Sequence, residues 1–152
     1  EWRLAEALGP VLEKYDYVLI DCPPSLGLLT INALTAADEI LIPVQCEYYS
    51  LEGLSQLLET IDLVKQNLKA DLTVLGLVMT MYEDESELAQ AVFHEIYKHF
   101  PHRVFRTVVP RNVKLAEAPS FGRSIFEHSY DSSGARAYRR LAHEIHLAKE
   151  SV

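Results

Sequence analysis

The sequence predicts an α/β domain, a mostly parallel sheet in three layers with helices on both faces, and three observations carry that prediction. Continuous apolar runs over residues 17–20 and 40–44, with two further apolar-rich segments at 72–81 and 104–109, suit the strands of a buried parallel sheet. Between them lie longer stretches with apolar residues three and four apart, such as Leu51, Leu54, Leu57, Leu58, Ile61, Val64 and Leu68, the stripe of an amphipathic helix. Strands and helices alternating at this spacing build βαβ units with right-handed crossovers. Finally, 152 residues of which 49% are hydrophobic suffice for a single domain with a buried core, here taken over 1–152.

In chain order, Leu4, Leu8, Val11 and Leu12 have helical spacing over 1–14, and Gly9-Pro10 splits or kinks that helix. The first strand, 17–21, ends on Asp21. Pro23 and Pro24 cannot continue a ladder, and Ser25 is placed to cap a helix over 26–36 that is buried on much of its surface. Pro43 removes a ladder donor from the second strand, 40–44, so pairing is interrupted there or the strand ends. Ser50 caps a helix over 50–68, and residues 72–81 form the third strand. Ser86 caps a helix carrying Leu88, Val92, Phe93, Ile96 and Phe100, which Pro101 ends. A fourth strand over 104–109, a helical turn at 113–117, a loop through 119–132 and a helix over 133–149 complete the chain. No internal repeat, linker or low-complexity segment interrupts it.

The net charge of −8 is unevenly distributed: residues 1–100 carry 17 acidic and 5 basic side chains, residues 101–152 carry 5 and 9. The last third is therefore the face expected to meet a polyanion. No apolar run reaches the roughly 18–20 residues of a membrane span and no signal peptide opens the chain, so a cytoplasmic protein is expected. Two cysteines, Cys22 and Cys46, are too few for a disulfide framework and read as reduced thiols. None of the six histidines stands at ligand spacing from them, and surface placement is expected for His94, His99, His102, His128 and His146.

A phosphate-binding loop needs clustered glycines followed by a lysine. None of the six glycines is followed by Lys-Ser/Thr at that spacing. What remains is Asp21 at a strand's carboxyl end, where open α/β sheets place ligands; on the residues alone, an aspartate capping a turn fits equally well. Pro110-Arg111-Asn112 likewise reads as a turn after a strand. Glu47, Tyr48 and Tyr49 could line a ligand or dimer face, and burial of the tyrosine rings explains them equally well.

Four blocks in one order add a resemblance: Asp21-Cys-Pro-Pro-Ser-Leu-Gly27, Pro43-Val-Gln-Cys-Glu-Tyr-Tyr-Ser-Leu-Glu-Gly53, Thr80-Met-Tyr82 and Pro110-Arg-Asn-Val-Lys-Leu-Ala-Glu-Ala-Pro-Ser-Phe-Gly122. Together they resemble the carboxy-terminal portion of the ParA/Soj partition ATPases, from about Leu4 to Ala148. The resemblance implies a deviant Walker A P-loop NTPase fold whose P-loop strand lies upstream of this sequence, leaving an edge to be covered by a loop, a second chain or a swapped element. It implies that Asp21 is the Walker B-type carboxylate acting on Mg2+ through water, that Pro23, Pro24 and Gly27 sense the γ-phosphate, and that Pro110, Arg111 and Asn112 bind the adenine. The intact parent would use ATP and Mg2+, dimerise, bind DNA non-specifically at the nucleoid and be stimulated by a ParB-like partner. This chain alone is expected to bind no cofactor and to be catalytically incompetent.

For DNA the candidates are Lys114, Arg123, Arg136 and Arg140, with Arg139 and His143 nearby and a solvated helix face as the bland alternative. Where the family often carries an arginine after Thr80-Met-Tyr82, this chain has Glu83-Asp84-Glu85-Ser86-Glu87, which repels phosphate. Three rivals compete: an interaction module dimerising with full-length relatives; a MinD-like positioning ATPase at a membrane, disfavoured because 142–152 is short and mixed in charge; and a redox relative with an iron–sulfur cluster on Cys22 and Cys46.

Overall fold

From Leu28 onward helices and strands alternate as the patterning requires. The computed structural model describes residues 1–23, 25, 27–47 and 49–150. Helix α1 (Arg3–Leu8) runs into a 3-10 helix (Gly9–Lys14), and then follow α2 (Leu28–Ala36), β1 (Glu39–Gln45), α3 (Ser50–Asn67) and β2 (Thr73–Tyr82). After these come α4 (Glu87–His99), β3 (Val104–Pro110), α5 (Val113–Glu117), a 3-10 turn (Ala118–Phe121), α6 (Ile125–His128) and α7 (Ser133–Glu150). The sheet order is β1-β2-β3. Two compact units divide the chain, Glu1–Ile40 with Glu52–Leu75, and Leu41–Leu51 with Gly76–Val152.

In the first unit Leu34, Val64 and Leu72 form a buried cluster, with Ala37, Ile40 and Leu68 packed on it. The α3 stripe thus lies inward as its spacing predicts, with Ile61 and Val64 fully buried. The Leu4 N–H donates to Asn32 Oδ1 at 3.3 Å, joining α1 to α2. Lys69 pairs with Asp38 at 3.4 Å and Asp71 at 4.0 Å. Two expectations fail here. Residues 17–21 are not a strand but irregular backbone outside the sheet, and Leu19 is 93% exposed. An apolar run becomes a buried strand only where neighbours offer ladder partners and covering side chains, and among the described residues β1, β2 and β3 pair only with one another. Helix α2 buries only Thr30, Ala33, Leu34 and Thr35, leaving Leu28 and Leu29 71% and 73% exposed. Its N-cap is Gly27 without a side-chain cap bond, and Ser25 instead accepts the Thr30 hydroxyl on its carbonyl oxygen at 2.5 Å. Pro24 and Leu26 lie outside the described residues.

In the second unit β2 is central, with Gly76, Leu77, Val78 and Met79 buried in succession, the mark of a strand covered on both faces. It pairs in parallel with β3, Leu77 opposite Val104 and Tyr82 opposite Pro110. On the other side the Cys46 N–H donates to the Thr80 carbonyl at 3.1 Å. β1 alternates rather than being continuously buried, Ile42 and Val44 inward and Pro43 exposed. Pro43 thus sits within an outer strand of this sheet, where a missing N–H is tolerated. β3 alternates too, with Phe105, Thr107 and Val109 buried. Gly76, at φ +156°, is required by packing, since a Cβ would stand 2.7 Å from the Phe105 ring and 2.9 Å from the Arg103 carbonyl oxygen. Ser86 caps α4 by accepting from the Ala89 N–H at 3.2 Å. Ala89, Val92 and Ile96 make the inner face of α4, while Leu88 is exposed. The predicted 119–132 loop contains a 3-10 turn and α6, the latter started by a Ser124–Glu127 capping box.

Candidate functional site

Loops after parallel strands converge at the strands' carboxyl ends, and in the second unit one side chain ties three of them together. Arg111, just past β3, pairs through Nη2 with Glu47 Oε1 at 3.2 Å, after β1, and through Nε with Glu83, after β2. The Arg111 N–H also donates to the Tyr82 carbonyl at 3.0 Å. Met81, at φ 53°, is the one non-glycine residue with positive φ among the described residues. It lies where the β2–β3 register shifts, a bulge of the kind that re-aims side chains beside functional sites. The sequence offered no signal for either feature.

Asn112 holds the turn together. Its Oδ1 accepts from the N–H groups of Lys114 at 2.9 Å and Leu115 at 3.3 Å, capping α5, while Nδ2 donates to Ser133 Oγ at 2.7 Å. The amide read as a base contact is thus engaged in a helix cap and a tie to α7. Lys114 pairs with Glu117 at 2.8 Å. His128 departs from its expected surface placement, with Nε2 lying 3.3 Å from Glu117 Oε2 and the ring stacked on Phe121 at 5.0 Å. The hydrogen bonds from Lys114 and His128, with their charges, lower the Glu117 pKa against desolvation.

Helix α7 lies along β3, and Glu144 fixes it there. Its Oε1 accepts the Arg106 N–H at 2.7 Å and Oε2 the Thr107 N–H at 3.0 Å, covering donors that an outer strand would leave open. Beside this joint is a groove of about 660 Å³ lined by Arg106, Arg136, Arg140, Ser133, Tyr82 and Asp84, with Pro110 also on its wall. The structure thus gathers two predicted DNA cations, Arg136 and Arg140, with Pro110 of the predicted adenine turn. It adds Arg106, which the sequence reading missed although the inward residues Phe105 and Thr107 on either side of it mark an outward position. Arg136 also donates to the Asp131 carbonyl oxygen. Arg139 is not part of the patch, lying over the Tyr130 ring at 4.1 Å to its centroid. Arg123 is exposed, beside Glu127.

Asp21, Pro23 and Gly27 belong to the first unit and are exposed. At Gly27 the backbone is extended and a Cβ would meet nothing nearer than Ser25 Oγ at 3.9 Å, so local geometry does not demand glycine there. The Cys22 thiol is raised by burial and then by Asp21, and burial pushes Cys46 up to about 11. Among the described residues no three His, Cys, Asp or Glu side chains cluster as a metal site, and no helix is long and apolar enough to cross a membrane. Tyr48 lies outside the described residues.

The fold is of the α/β nucleotide-binding class. It superposes on the crystal structure of cobyrinic acid a,c-diamide synthase from Mycobacterium smegmatis with bound ADP and magnesium, with a TM-score of 0.75, 34% identity, and 92% of this chain and 50% of that one covered. A family model described as an AAA domain matches residues 1–74. The sporulation initiation inhibitor protein Soj of Bacillus subtilis is 54% identical over 95% of this chain and 57% of its own length. The chromosome partitioning protein ParA of Myxococcus xanthus is 53% identical over 95% and 51%. The chain belongs to the ParA/Soj family, and it spans about half the length of the curated relatives it matches.

Proposed function

We propose that this chain is the part of a chromosome- or plasmid-partition ATPase that carries its magnesium-directed carboxylate, its adenine turn and its DNA-facing helix. Identity above 50% with Soj and ParA across 95% of the chain carries this reading. Asp21 fits its assigned role: its carboxylate is exposed and makes no ion pair or hydrogen bond among the described residues, as a hard divalent cation approached through water requires. Bound Mg2+ would neutralise phosphate charge during phosphoryl transfer. Gly27 fits as well, since a glycine that local geometry does not demand is explained by close approach of a ligand. Residues 17–21 take their place in the sheet when the other half of the family domain supplies ladder partners. The intact protein then binds ATP, dimerises, coats DNA without reading sequence and responds to a ParB-like partner.

DNA binding by the full-length protein tests this reading. ATP-dependent retention of a random-sequence duplex is expected, and Arg140→Glu should weaken it several-fold and flatten its salt dependence. Equal binding by wild type and variant would remove α7 from the interface; no binding with ATP would remove the DNA reading.

A further inference from the structure

The basic residues of the last third are not equivalent once folded. Arg111 is held by two carboxylates and Lys114 by Glu117, so each must exchange a partner to meet a phosphate. Among the described residues no carboxylate lies within ion-pair distance of Arg106, Arg136 or Arg140, and all three line the groove between β3 and α7. We propose that this groove is a track for the phosphodiester backbone of DNA in which Arg106, on the strand, is a phosphate contact alongside Arg136 and Arg140 on the helix. The proposal rests on the DNA-binding reading above and names the surface that serves it.

Arg136 and Arg140 are one helical turn apart, about 6 Å along the axis, and Ser133 extends the row to about 10 Å. That spread exceeds a single phosphate group and suits successive phosphates on one strand. Ser133 accepts from Asn112 on its oxygen, which leaves its O–H free to donate. Both Glu144 oxygens are occupied by the N–H groups of Arg106 and Thr107. The same two bonds hold strand and helix in register, so arginines from both elements line one channel on a fixed backbone. Asp84 is the carboxylate of the groove; it weakens the site and supplies a gain-of-affinity control.

The experiment is fluorescence anisotropy of a short random-sequence duplex with the full-length protein and ATP across a salt series. Arg106→Ala, with an unchanged melting temperature, should bind several-fold more weakly and lose about one from the magnitude of the log K against log salt slope. Arg106→Lys should keep most of that slope. Asp84→Asn should tighten binding several-fold. Arg103→Ala, which removes an exposed arginine outside the groove, should leave the slope unchanged. An Arg106→Ala slope equal to wild type, or an equal loss in Arg103→Ala, overturns the proposal while the DNA reading stands. Absence of wild-type binding overturns both. Inorganic tripolyphosphate is the second arm: if Arg106→Ala abolishes its binding yet leaves the DNA slope intact, the occupant is a free polyphosphate and the DNA track is refuted.

Discussion

Glu144 accepts two consecutive backbone N–H groups of β3 with one carboxylate, so removing it strands donors beside the groove. Glu144→Ala should cost about 1–3 kcal/mol in denaturant unfolding, the range for losing hydrogen bonds to a charged group. The pH dependence has a definite sign. Burial raises the Glu144 pKa, but the N–H groups of Arg106 and Thr107, the Thr107 hydroxyl and the Arg106 charge outweigh it, and the carboxyl ends below its ordinary 4.5. Its stabilisation is therefore complete above that value and is lost as pH falls through the lower folded-state value. The stability gap between wild type and Glu144→Gln should accordingly shrink in acid and stay constant from pH 6 to 8. Gly76 makes a second test: Gly76→Ala should cost about 1–3 kcal/mol by overpacking against Phe105, whereas Gly9→Ala, with open space around its Cβ position, should cost nothing from packing.

Among the elements, α3, α4 and β2 were legible because each carries its own signal, a 3.6-residue stripe, a serine cap or a long apolar run, and β3 and α7 were legible from the alternation of strands with helices. Ser86 and the helical turn at 113–117 fall where the sequence placed them. Residues 17–21 did not, and the reason is physical. Apolar β-forming residues report a preference for burial between neighbours, not the presence of neighbours, and no described strand pairs with this segment. Leu19, Leu28 and Leu29 record the same shortfall as exposed apolar surface. In the full-length protein Leu19→Asp should then cost at least ~2 kcal/mol, the penalty for a carboxylate in a buried strand; a neutral effect in thermal unfolding would contradict the burial of this segment. The pairings of Arg111 and Asn112 were invisible in sequence for a different reason, since they join residues up to 64 positions apart through side chains.

For the molecule as a whole, the motif order already suggests the family, whereas the distribution of paired and unpaired charge appears only in the folded chain. The excess of basic residues after residue 100 pointed to the last third as the face for a polyanion; in the folded chain Arg111 and Lys114 have carboxylate partners and Arg106 joins Arg136 and Arg140 along one groove. The central claim is that Asp21 serves Mg2+-dependent nucleotide chemistry in the intact protein. The most direct test is steady-state ATP turnover by the full-length protein, wild type and Asp21→Ala, over a magnesium titration with DNA and a ParB-like partner present. The account predicts Mg2+-dependent hydrolysis by the wild type and loss of at least ~100-fold in Asp21→Ala, on the scale of removing a transition-state contact. Unchanged turnover in the variant would contradict it.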